Sequence, residues 1–454
     1  MNLMILGSIL CGLALTSVSV GTPRKAAQDP LVEHLLKQIN EIPFVDSHTH
    51  VPLPAGMAER MKDKSFHYDV PYLIGGASYI ASFIYGKDWP EMKERLKVNA
   101  QHAYYRPMVM AMRDLYGLGE NDELNDSNVE EISRKMDAAH HDPNWYGEVL
   151  KRANVRHILW MDWNGKDLQN LPGNKLKDMA FHPLWNVDWV VYFNGQKPKK
   201  GELNELDKVK EAFGRKPKNL TELEKLHDDM FKRFLANGGV GLKSTSAYFR
   251  ALDFDDTVPR SKAEAAFAKV VEQKPLTDKE QKNLQDYLMI RFLKMAAKKN
   301  LPFQFHTGNQ QNWNIVENSN PLKLNKLLYS GKYAAVKFVL LHGGYPYTQE
   351  SIMLAKYFPG TVYLDLAWMA LFSPAAAKQT LSQALDMLDG TQVMLGTDTA
   401  NLEELYGTVK ITRHILAEVL AEKIESGLWT EEVAMQIARR VLCTNAMELY
   451  HLKD

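Results

Sequence analysis

Phe44-Val45-Asp46-Ser47-His48-Thr49-His50 is the stretch on which the reading of this chain turns. An apolar pair runs into a polar end that carries two imidazoles two positions apart. Side chains alternate faces along a strand, so His48 and His50 point the same way and can reach one metal ion from one strand end. Taken alone, the same letters also fit an exposed turn with two unrelated histidines. Other apolar runs in the chain weigh against that, because three of them end in a ligand-type residue, at His306, His342 and Asp398.

Working outward, strand-like runs follow at residues 155–163, 185–193, 238–244, 302–306, 336–342, 361–366 and 392–398. The last four alternate with helical patterns near 321–328, 348–357, 375–388 and 403–422. Near-continuous apolar strands separated by helices indicate parallel strands covered on both faces. Counted from Phe44 there are eight, the number that closes a (β/α)8 TIM barrel. A doubly wound open sheet is the alternative, but no Gly-rich phosphate loop follows the first strand. Residues 51–154 read as a large helical insertion after that strand, with helical spacing over 89–118 and 128–139. It is too long for a structureless loop. Its Tyr72, Tyr79, Phe83, Tyr85 and Trp89 are expected mainly to pack inside the insertion, with lining of a substrate mouth as the alternative. A helix over 430–449 is expected to close the barrel from outside, and residues 30–454 to form one barrel domain.

The composition excludes several partner classes. The 454 residues are 45% hydrophobic and 24% charged, and Lys+Arg and Asp+Glu balance at 55 each. A sizeable core is affordable at that length, and no basic or acidic excess points to nucleic acid or an anionic membrane. Residues 3–20 form an apolar run with small residues at Ser17, Ser19 and Gly21, followed by Arg24 and Lys25. Residues 1–21 are therefore expected to be a signal peptide, giving an exported protein, periplasmic or secreted, with no stable membrane anchor after cleavage. An uncleaved N-terminal tether is the alternative, since the run is at the lower length limit for a span. Cleavage would remove Cys11 and leave only Cys443, so no intrachain disulfide is expected.

In a parallel barrel the C-terminal strand ends converge on one mouth. Strand one delivers His48 and His50, strand four Lys243, strand five His306, strand six His342 and strand eight Asp398. Three imidazoles and a carboxylate suit a divalent ion such as Zn, with Mn, Fe or Ni also compatible. An ion with an open position activates water and polarises a carbonyl, and His342 or Asp398 can then move the proton. Singly, the histidines could be core residues, Asp398 a turn cap and Lys243 a surface cation. Their common position at strand ends argues for a site.

These residues carry a resemblance. Val45-Asp46-Ser47-His48-Thr49-His50, Phe305-His306-Thr307-Gly308, Leu341-His342-Gly343-Gly344-Tyr345-Pro346 and Gly396-Thr397-Asp398 resemble motifs of the amidohydrolase superfamily, in its amidohydrolase-related branch. Within it, Gly241-Leu242-Lys243-Ser244, Ala247-Tyr248-Phe249-Arg250 and Asn445-Ala446-Met447-Glu448-Leu449-Tyr450 are similar to the amidohydrolase domain that precedes glutamine synthetase in nodulin-like and fungal sporulation proteins. The likeness runs from about Pro43 to Tyr450 and is weak in the insertion. It implies that His48, His50, His306 and Asp398 are metal ligands and that His342 binds a second metal or assists catalysis. It leaves Lys243 either carboxylated as a bridge between two ions or cationic. One ion is favoured over two, with Lys243 and Arg250 as anion contacts and Tyr248 beside them.

The activity implied is metal-dependent hydrolysis of an amide, ester or related bond in a small acidic substrate. The alternative is a non-oxidative decarboxylase acting on a carboxylate substrate. A sugar-acid isomerase and a non-catalytic binding protein are weaker readings, the latter because it predicts damaged ligand positions and none is damaged. Trp368, Trp313 and Tyr345 are further candidates to line the pocket. A homodimer is left open.

Overall fold

The computed structural model describes residues 29–63, 65–84, 86, 88–161, 175–176, 179–199, 202–310 and 315–453. The expected signal peptide, Cys11, Tyr85 and Trp313 lie outside them. Eight strands run parallel in chain order: β1 Phe44–Thr49, β2 Val155–Met161, β4 Met179–Asn186, β5 Gly241–Ser244, β6 Pro302–Phe305, β7 Lys337–Leu340, β8 Val362–Asp365 and β9 Val393–Met394. A two-residue strand, β3 Lys175–Leu176, pairs antiparallel with β4. The register steps through Val45–His157, His157–Ala180, Trp185–Leu242, Leu242–Phe303, Phe303–Phe338, Phe338–Val362 and Leu364–Val393.

The seam between first and last strand is closed by the chain just beyond β9. Asp398 N donates to His48 O at 2.8 Å, and His50 N donates to Thr399 O at 3.0 Å. Below them, Asp46 accepts from Thr397 N at 2.8 Å and from Thr397 Oγ1 at 2.6 Å. The expected barrel is thus present, nearly closed, with helices packed around it.

Alternation within the strands separates two layers. Phe44, Leu242, Phe303, Phe305, Phe338 and Leu364 face outward into the main core shared with the helices. Val45, Leu159, Leu184, Val339, Leu341 and Met394 cluster inside the barrel with Ala446, Leu449 and Tyr450. Polar residues alternate with the outward set at Lys243, Gln304 and Asp365, all buried. A period of two explains why each sits beside an outward-facing apolar neighbour.

The C-terminal segment departs from the expected external helix. It forms a helix at Glu431–Arg439, a wider π turn at Arg440–Thr444 and a last short helix at Asn445–Leu449. The end of this segment plugs the strand-start end of the barrel: a Cβ on Gly241 would lie 3.1 Å from the Tyr450 ring. The expected third strand is also shifted. It runs over Met179–Asn186, and Val187–Val190 forms a 3-10 turn opened by Asn186, whose side chain accepts from Asp188 N. Buried Val187, Val190 and Val191 recur at helical spacing, so a continuous apolar run concealed a turn. In the region after β1, the stretch read as helical over 89–118 is two helices, Trp89–Asn99 and Arg106–Tyr116. Val129–His140 and Trp145–Arg152 complete that layer.

His227 tests how tightly the outer layer is packed. It is fully buried in the helix Leu220–Ala236, its ring 4.9 Å from Phe292 of the helix Asp278–Lys299. Burial, assisted by the Arg291 charge, pushes the imidazole down to about 3. Unfolded, the same ring takes up a proton below about 6.5, so unfolding consumes a proton in this window. Its contribution is fully present above pH 6.5 and is lost as pH falls toward 3. Urea unfolding between pH 7 and pH 4 is expected to show a smaller acid-side loss of stability in His227→Phe than in the wild type. Parallel pH profiles would contradict this account.

Candidate metal centre

The closed seam brings the first strand against the chain after the last one, and the ligand-type atoms meet there. His50 Nε2 lies 3.1 Å and His48 Nε2 3.8 Å from Asp398 Oδ1. Among the described residues these three form a group whose ligand atoms all lie within 4.8 Å of one another. The remaining nitrogen of each ring is already engaged. His48 Nδ1 lies 2.8 Å from Gln304 Oε1, and His50 Nδ1 lies 3.2 Å from Met161 O. Gln304 is itself oriented, its Nε2 donating to Ser47 O at 2.9 Å and to Tyr450 Oη at 2.8 Å.

These contacts fix the tautomers. An oxygen acceptor at Nδ1 requires the proton there, which leaves the Nε2 lone pairs facing a carboxylate oxygen. Asp398 Oδ1 is buried and accepts no hydrogen bond among the described residues. Burial and the Lys243 charge hold His48 well below its ordinary range, so it is neutral. The neutral His48 ring turns its Nε2 lone pair toward the Asp398 carboxylate, and a cation between lone pairs that face one another removes their repulsion. Imidazoles oriented by oxygen acceptors on their far nitrogens are the usual support of a metal site. The donor set therefore fits a divalent ion.

His306 and His342 flank this group. His342 Nδ1 is 3.0 Å from Ala367 O and 3.5 Å from Asp398 Oδ2, and its Nε2 meets His306 Nδ1 at 3.0 Å. His306 Nε2 lies 2.7 Å from Asn309 O. Burial pushes His342 down to about 4 and His306 well below its ordinary range. Two neutral rings supply two protons for three contacts, so one of the three contacts has no proton. His306 lines the same recess as the His48–His50–Asp398 group but stands outside that tight cluster.

The recess has about 10 Å³ of open space, room for about one water molecule, and is also lined by Tyr79, Met161, Lys243, Thr245, Tyr248 and Trp368. Lys243 is 1% exposed and has no hydrogen-bond partner among the described residues. Burial pulls its ammonium down to about 7, against the attraction of Asp398, Asp188 and Asp365. Tyr248 stands over His306, ring centres 4.5 Å apart.

Arg250 is placed differently from the expectation. Its guanidinium pairs with buried Asp286 at 2.7 Å and lies over the Phe254 ring, so it does not line the recess. Tyr345 packs on Phe372 and is half-exposed. Of the insertion aromatics, Tyr79 reaches the recess, whereas Tyr72 packs on Phe66 and Tyr68 and Trp89 Nε1 donates to Asp126. Gln304 was not singled out in the sequence. The available signal was an amide in the middle of an apolar four-residue strand.

Residues 247–452 match the amidohydrolase family, Amidohydro_2. A stretch of 226 residues, 47% of this chain, is 34% identical to Protein fluG of Emericella nidulans. The chain spans about a quarter (26%) of that relative's length. Among solved structures, a uronate isomerase from Thermotoga maritima superposes with a TM-score of 0.75 at 17% identity, covering 93% of this chain and 98% of its own. A candidate metal-dependent hydrolase from Lactobacillus casei does so with a TM-score of 0.62 at 18% identity, covering 92% and 97%. At these identities the two structures establish a common fold, while the family match and the fluG likeness concern sequence. In sequence, residues 247–452 are thus similar to the amidohydrolase family, and the whole-chain superpositions show that the fold is shared as well.

Proposed function

We propose that this protein is a metal-dependent hydrolase that cleaves an amide or ester bond in a small acidic substrate. The observation that carries the reading is the convergence of His48 Nε2, His50 Nε2 and Asp398 Oδ1, all within 4.8 Å of one another. These three residues would hold one divalent ion, Zn in the first instance, with His306 as a further donor. A bound ion supplies Lewis acidity, lowering the pKa of water toward ~7 and polarising a carbonyl.

The chain's own residues account for the remaining steps. Asp398 carries a carboxylate oxygen on each side of the centre, Oδ1 toward the paired histidines and Oδ2 toward His342 Nδ1. It is placed to take the proton from water and return it to the leaving amine or alcohol, with His342 holding its geometry. The Lys243 ammonium, without a partner among the described residues, is placed to bind a substrate carboxylate. The aromatic side chains around it keep water out of that ion pair and strengthen it.

Two other reactions use the same groups. Decarboxylation needs the carboxylate contact at Lys243 but no water. Sugar-acid isomerisation is favoured by the whole-chain likeness to the uronate isomerase, which extends over the region after β1. One panel separates the three. Release of amine or alcohol from acidic amides and esters supports the hydrolase. Carbon dioxide release without amine or alcohol indicates the decarboxylase, and interconversion of hexuronates the isomerase.

Metal analysis of the purified protein is expected to give about one equivalent per chain, and Asp398→Asn to lose both metal and at least 10³-fold in activity. Two equivalents in the wild type would replace the one-ion proposal with a bridged pair. Gln304→Leu removes the acceptor that fixes the His48 tautomer and is expected to weaken metal affinity about 10–100-fold, the range typical of such supporting contacts. Unchanged affinity in a metal-buffered titration would contradict the tautomer argument.

A further inference from the structure

The recess at the metal centre has room for about one water molecule. An amide or ester is several times larger than water, so a wall of the recess has to move before the proposed substrate enters. The barrel's own walls are tied down. His48, His50 and Asp398 meet across the bonded seam, Lys243 lies in a paired strand, and His306 N donates to Ser244 O at 2.9 Å. Tyr248 N donates to Thr245 O at 2.9 Å, and Thr245 N and Oγ1 both donate to buried Asp188. Trp368 O accepts from Leu371 N at 2.9 Å and from Phe372 N at 3.0 Å.

Tyr79 is held differently. Among the described lining residues it alone comes from the helical layer between β1 and β2, and that layer is attached to the barrel in two unequal ways. Its fixed part converges on Glu403, fully buried in the first turn of the helix Leu402–Glu425. Tyr116 Oη donates to that carboxylate at 2.6 Å and Tyr68 Oη at 2.7 Å, while His140 Nε2 lies 2.8 Å away. The segment around Tyr79 has two hydrogen bonds to the same turn: Asn401 Nδ2 donates to Ala77 O at 3.0 Å, and Tyr79 N to Glu404 Oε1 at 3.1 Å. Its backbone leaves α geometry twice, in a π turn at Leu73–Ala77 and a 3-10 turn at Tyr79–Ser82, and such departures recur at functional hinges. Its apolar residues Leu73, Ile74 and Ile80 pack in the layer's own cluster rather than in the main core around the barrel. Within four residues the segment passes from Tyr79, against Trp368 at 5.3 Å, to Phe83, which is 41% exposed. It therefore stands between the recess and solvent.

We propose that Leu73–Ser82 is a flap over the metal centre. Closed, it lays Tyr79 against Trp368 and is latched by Asn401 and Glu404. Open, it releases those two hydrogen bonds and uncovers the recess, while the contacts at Glu403 keep the rest of the layer in place. Asn401 and Glu404 are then latch residues that act through the flap and touch no substrate. This proposal rests on the reading of the recess as the place where substrate binds.

A gate changes the rates of entry and exit by one factor and leaves the equilibrium between them alone. The test therefore measures zinc uptake, and zinc loss to the chelator dipicolinate, in the full-length protein. Asn401→Ser keeps an acceptor for Glu404 N at the start of its helix but loses the donor to Ala77 O. It is expected to speed uptake and loss alike by about fivefold, the size of one net hydrogen bond, with zinc affinity unchanged. Tyr79→Ala is expected to speed both rates as well, and serves if Asn401→Ser does not fold. Hydrogen exchange over residues 73–84 is expected to quicken in Asn401→Ser, with that of the helix Arg106–Tyr116 unchanged. Unaltered zinc rates in both variants, or faster loss matched by an equal fall in affinity, would overturn the flap and leave the hydrolase reading intact. A wild type that binds no zinc would instead remove that reading, and unchanged exchange over 73–84 in Asn401→Ser would by itself overturn the flap.

Discussion

Closure of the barrel is the constraint from which the site follows. The backbone bonds between Asp398 and His48 and between His50 and Thr399 join residues some 350 positions apart in sequence. Those bonds do two things together. They pair the edges that an open eight-stranded sheet would expose, and they bring a carboxylate against two imidazoles. The Asp46–Thr397 contacts beneath belong to the same seam, and burial pushes the Asp46 carboxyl up to about 7. Five buried polar residues held in one seam would be a costly way to close a sheet if the sheet were all that was at stake.

Around that seam the barrel interior divides by chemistry. Toward the strand starts it is apolar and sealed by Tyr450, and toward the strand ends it becomes ionisable and opens into the recess. Burial acts on five of the groups there in the direction that removes charge: His48, His306 and His342 are pushed down, Lys243 is pulled to about 7, and Asp365 is pushed up to about 6. Neutral imidazoles are what a metal ion requires of its ligands, so the low-polarity setting prepares the donors.

The parts of this arrangement legible in the sequence were those that depend on local periodicity. His48 and His50 were found because a strand has period two, and His306, His342 and Asp398 because each ends or follows an apolar run. What escaped was set by distant partners or by backbone angles. The family resemblance of Ala247-Tyr248-Phe249-Arg250 implies an anion contact at Arg250, but Asp286, in a later helix, holds it elsewhere. The third strand was displaced because His182 and Pro183 interrupt its pattern, while the apolar turn after it imitates a strand. Trp368 was one aromatic among several candidates, since a positive φ at a tryptophan leaves no mark in the letters. The direction of the His306 ring was equally hidden, being decided by Asn309 O and His342.

Gln304 spans the two ends of the barrel interior, one side of its amide on His48 and the other on the Tyr450 hydroxyl. The protonation pattern at the first strand is consequently conditioned by a residue near the opposite terminus of the polypeptide. A substitution that removes the Tyr450 hydroxyl takes away one of the two acceptors that hold the Gln304 amide against His48. The first strand's histidine thus depends on the chain's last helix as well as on its own neighbours.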